Sequence, residues 1–161
     1  MKKLYTVLVL LSLSIAALAQ NGRQLYNKYS DLPGVDAIYI SPAMFRMIGR
    51  IPDVEINDAD VNFSSIIKSM TGFYFLETTS PEIGVKMIEE VNRYVSSGNY
   101  ELLMEAKESG EVTRLYTSGD DKTISSFVMF SQEDDDFAFI SFDGKMDREE
   151  LENLLAEAAK D

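Results

Sequence analysis

The chain has 161 residues, 15 of them lysine or arginine and 27 aspartate or glutamate, for a net charge of −12 with no cysteine and no histidine. Without imidazole or thiol there is no Ser-His-Asp triad, no thiol nucleophile, no thiolate zinc site and no disulfide framework. The acidic balance repels nucleic-acid phosphates and anionic lipid, which excludes nucleic acid as a partner and favours basic proteins or cations.

The N-terminus carries Lys2 and Lys3 ahead of an apolar run from Leu4 to Leu18. That run is shorter than the roughly 20 residues of a spanning helix. Ala17 and Ala19 put small residues where a signal peptidase reads. Residues 1–19 are therefore expected to be a signal peptide, with Gln20 the first mature residue. Residues 20–161 are expected to form a single globular α+β domain, a length that suits one core. The product is exported, periplasmic or secreted. It has no stable membrane insertion after cleavage and, lacking cysteine, no lipid anchor.

Periodicity and turn residues give the remaining elements. Arg23 to Asp31 reads as a short helix with Leu25, Tyr26 and Tyr29 on one side, stopped at Leu32-Pro33-Gly34. Val35 to Ile40 is a strand. Ser41-Pro42 opens a helix through Ile48, with Ser as cap and Pro at the first helical position. Gly49 to Asp60 is an irregular acidic loop. Val61 to Met70 reads as a helix with Phe63, Ile66, Ile67 and Met70 on one face. Phe73 to Thr79 is a strand. Ser80-Pro81 opens the longest helix, to about Ser96, with Ile83, Met87, Val91 and Tyr94 along one stripe. Four strands follow, near 100–107, 112–117, 123–131 and 137–142. The joints are short enough for hairpins, so the strands form an antiparallel meander. Asp147 caps the last helix, with Glu150 completing a capping box, and Leu151, Leu154, Leu155 and Ala158 form its inner face. The order β-α-α-β-α-β-β-β-β-α predicts an α+β fold: a mixed, mainly antiparallel sheet with helices packed on one face.

The exported start, the tyrosine-bearing first helix, G-V-D-A-I-Y-I-S-P-A-M-F and F-A-F-I-S-F-D-G-K-M-D-R-E-E-L-E-N-L-L together resemble a known family. It is the domain of unknown function 4252 family, small exported proteins of Bacteroidetes, and the likeness runs from about Leu25 to Ala156. The resemblance implies a cell-envelope setting and no assigned catalytic residues. Many members carry a lipobox cysteine, from which this chain departs.

Candidate sites are few. Asp53, Glu55 and Asn57 fall at loop positions one, three and five of a calcium loop. Asp58 stands where the turn needs Gly and Ser64 where a bidentate Glu is needed, so an EF-hand is not expected; a solvated loop is, with a looser cation site as the alternative. In a meander, alternate turns lie at the same end. Asp120, Asp121, Asp143 and Asp147 then gather at one end, and Glu133, Asp134, Asp135 and Asp136 at the other with the 109–110 turn. Either set offers hard oxygens to a cation such as calcium, although turn aspartates also serve the backbone. Ser65 and Lys68 match S-x-x-K without its companion motifs, a chance match. Met44 and Met47, three apart, are expected to pack in the core rather than bind soft metal. No catalytic residue and no cofactor is expected. On the last strand, Phe137 and Phe139 share one face and Ala138, Ile140 and Phe142 the other. Both faces are apolar and need cover.

The expected function is that of a non-enzymatic envelope protein acting through contact with a protein partner, as a sensor or accessory. A small-ligand or divalent-cation-binding module is the alternative, and a carboxylate-dependent hydrolase the third reading.

Overall fold

A computed structural model describes residues 22–48 and 64–158, with side chains over 22–48 and 67–153. The expected signal peptide and the Asp53–Asp60 loop lie outside these residues. The elements are α1 (Gly22–Tyr29), β1 (Val35–Ile40), α2 (Pro42–Ile48), α3 (Ser64–Ser69), β2 (Met70–Thr78), α4 (Pro81–Ser97), β3 (Tyr100–Glu108), β4 (Glu111–Gly119), β5 (Thr123–Glu133), β6 (Asp136–Asp147) and α5 (Arg148–Ala158). The six strands form one sheet in the order β1-β2-β6-β5-β4-β3, every neighbouring pair antiparallel. The fold is α+β, as the element order predicts. The mixed character expected of the sheet is absent among the described strands.

The meander β3-β4-β5-β6 is contiguous, and β2 joins it beside β6. Strand directions then make β2 and β3 parallel, and α4 carries the chain from one to the other over the sheet. Pro81 starts α4 with its φ preset and no N–H to lose. Gly84 lets the helix approach until a side chain there would collide with the Phe137 ring.

One sheet face is the core. Tyr74, Leu76, Val128, Phe130, Phe137 and Phe139 point at Leu25 and Tyr29 of α1 and at Met87, Val91, Tyr94 and Val95 of α4. Each such side chain removed from water contributes about 1.5–3 kcal/mol. The turn into β1 is tied down where Thr78 Oγ1 donates to the Gly34 carbonyl at 2.6 Å.

Three expectations need correction. Met70 begins β2 rather than ending a helix. Met44 and Met47 are exposed, and Phe45 between them is the buried residue of α2. Finally β6 runs to Asp147, not to Phe142, so Asp143 lies inside a strand opposite Gly72 and Ser126. Asp143-Gly144 resembles a turn in sequence. Here strands on both sides supply its pairing, and Gly144 leaves room for the Ser69–Met70 backbone.

Candidate functional site

The second sheet face follows from strand alternation. In register across all six strands it carries Ile38, Phe75, Ile140, Met129, Leu115 and Met104. At about 4.8 Å per strand this apolar row spans about 24 Å. The inner four residues are half-buried, whereas Ile38 and Met104 at its ends are 52% and 45% exposed. The next row holds Ile40, Phe73, Phe142, Phe127, Thr117 and Glu101, with Phe73 and Phe142 rings 4.9 Å apart. On the other side the flanking row begins with Asp36 and Glu77. A broad apolar stripe is thus edged by carboxylates.

The edge strand β3 adjoins it, with Leu102, Leu103 and Met104 exposed beside a bulge. Glu105 is held by Arg114 at 2.6 Å and Lys107 at 2.7 Å, and these two partners keep its carboxyl below the usual range. Charges and a bulge on an edge discourage indiscriminate strand pairing.

The strand-end acids have backbone work. Asp120 Oδ1 accepts the Lys122 and Thr123 N–H groups at 2.9 and 2.7 Å, which lowers its pKa. Asp147 Oδ1 accepts the Glu150 N–H at 3.0 Å, the capping half of the expected box. Arg148 Nε donates to the Asp120 carbonyl at 3.1 Å, tying the two strand ends together. Asp121 is exposed. Asp134 closes the β5–β6 turn with φ of 48°, and Glu133 pairs across it with Asp136. All four acids of that turn are exposed. Among the described residues no three acidic side chains converge as a metal group.

Asp143 departs from the rest. It is half-buried on the core face and accepts a hydrogen bond from Ser126 Oγ at 3.1 Å. Burial raises its pKa, and the Ser126 bond opposes the rise. The Tyr94 and Tyr100 hydroxyls bond each other nearby. Burial pushes both phenols up, and the Asp143 charge adds to the effect. Ser141, fully buried, completes the cluster. Sequence reading placed Tyr94 on a buried stripe but did not join it to Ser126, Ser141 and Asp143, because that proximity depends on strand register.

A family model, Domain of unknown function (DUF4252), matches residues 29–154. The chain belongs to this family. The DUF4252 match spans the whole sheet and α4 and takes in α1 only at its last residue, Tyr29. No curated protein and no solved structure matches the chain. No described helix of this DUF4252 protein is long and apolar enough to cross a membrane.

Proposed function

We propose that the protein is an exported, non-catalytic component of the cell envelope that acts by protein–protein contact through its second sheet face. The observation that carries this reading is the apolar row from Ile38 to Met104, exposed at both ends and flanked by Asp36, Glu77 and Glu101. Apolar patches rimmed by polar groups mark interaction surfaces. The partner it fits presents an apolar surface ringed by lysine or arginine, since the rim and the net charge are both acidic. Export is supported by the leader-like sequence of residues 1–19.

Site-specific photo-crosslinkers at Ile38 and Met104, with a control at Glu82 on α4, test the reading in cells. Adducts of defined mass are expected at the first two positions and not at the third. Ile38→Glu or Met104→Glu is expected to remove the adduct formed at the other end of the row. Equal labelling at all three sites would reject the surface.

A further inference from the structure

Methionine carries all the sulfur in this chain, which has no cysteine and no tryptophan either. Thioethers are then the side chains most open to a two-electron oxidant. Access divides them. Among the described methionines, Met44, Met47 and Met104 are exposed, whereas Met87 and Met146 are buried. Met44 and Met47 ride on α2, outside the strands. Met104 ends the apolar row of the second sheet face, opposite Leu115. It lies on an edge strand that has β4 on one side and no described strand on the other. Leu102 and Leu103 beside it are exposed as well, so a small oxidant reaches the sulfur. Met129, two strands further in, sits in the same row but is half-buried.

We propose that Met104 is an oxidation site that takes one oxygen from a peroxide, and that its sulfoxide releases the partner held on the second sheet face. The inference rests on the contact reading above and names what regulates it. The thioether sulfur attacks one peroxide oxygen, so that an S–O bond forms as the O–O bond breaks. The departing hydroxide takes the proton of the transferred hydroxyl and leaves as water. Sulfur gives up two electrons and the peroxide gains them. A flexible apolar side chain thereby becomes a polar one with a strong acceptor oxygen. In the free protein that oxygen faces water, and the fold accepts it. Under an apolar partner it is buried without a donor, which is costly. Met87, shut inside the core, is spared, so the switch acts on the contact and not on the fold. Methionine sulfoxide reductases undo the change, and the contact returns.

The test uses the purified protein with the photo-crosslinker at Ile38, the far end of the row, presented to an envelope extract. Hydrogen peroxide is applied first and removed before mixing. Peptide mass spectrometry is expected to find Met104 oxidised at least about tenfold faster than Met87, with Tm unchanged. Full oxidation is expected to lower the Ile38 adduct about tenfold, and reductase treatment to restore it. In a half-oxidised pool the adduct fraction is expected to be depleted of Met104 sulfoxide, while Met44 and Met47 sulfoxides stay at their level in the pool. A Met104 no faster than Met87, an adduct indifferent to peroxide, or depletion at another methionine in place of Met104 overturns the proposal and leaves the contact reading standing. Absence of any Ile38 adduct before peroxide removes both.

Discussion

Gly84 shows how a single missing methyl group sets the distance between helix and sheet. Alanine in place of glycine inside a helix ordinarily stabilises by about 1 kcal/mol. At Gly84 the new methyl would meet the face of the Phe137 ring, itself buried between α4 and β6. Overpacking of that kind costs about 1–3 kcal/mol, so the clash outweighs the propensity. Gly84→Ala is expected to lower the urea midpoint, and Gly84→Val to lower it further. Tyr29 offers a second residue-level test. Burial, reinforced by Glu90, pushes its phenol up to about 12. In the unfolded chain the same group titrates near pH 10. Between these values the native state holds the proton more tightly, so its contribution to stability is present below pH 10 and is lost as pH rises toward 12. Tyr29→Phe is expected to flatten that part of the stability–pH curve, measured by urea unfolding at stepped pH.

At the scale of elements, the turns decide register. Asp134 holds a left-handed backbone with φ of 48°. Relief of that conformation makes Asp134→Gly neutral or stabilising by up to about 1 kcal/mol, while a β-branched Asp134→Val costs about 1–2 kcal/mol. Thermal melts should show a lowered Tm for Asp134→Val and a Tm equal to or above that of the natural sequence for Asp134→Gly. The same hairpin explains what was legible beforehand. The helices opened by Ser41-Pro42 and Ser80-Pro81, and the four strands from Tyr100 on, were readable because caps, turns and alternation are local signals. The extension of β6 was also written there, in the geometry of the pair. A turn at Asp134-Asp135 and a strand reaching back to Thr123 require a partner strand out to about residue 146, and Thr123 indeed pairs with Asp147. The Asp143-Gly144 dipeptide hid this, since it also spells a turn. Met44 and Met47 have the spacing of a core stripe yet are exposed, for a related reason. Helical spacing defines a stripe, but which stripe faces inward is decided by what lies beneath it.

For the molecule as a whole, charge and topology matter most. With 27 acidic against 15 basic residues the folded state repels itself. Raising ionic strength through about 0.1 M shortens the screening length to about 10 Å, and Tm is expected to rise by a few degrees in a sodium chloride series. No single hairpin reveals the sheet order. The insertion of β2 beside β6 joins segments far apart in the chain, and only the completed core, with Leu76 against Phe139, selects it. Leu76→Ala should cost about 2–5 kcal/mol, read as a fall in ΔG of unfolding. The position of β6 has a further consequence. Among the described strands it alone touches both the β1–β2 pair and the remaining hairpins, and it is the last of them to be made. A polypeptide that emerges N-terminus first, from a ribosome or through a translocation pore, cannot close this sheet until its tail has followed. Until that last strand is free to pair, the two halves of the sheet have no edge in common.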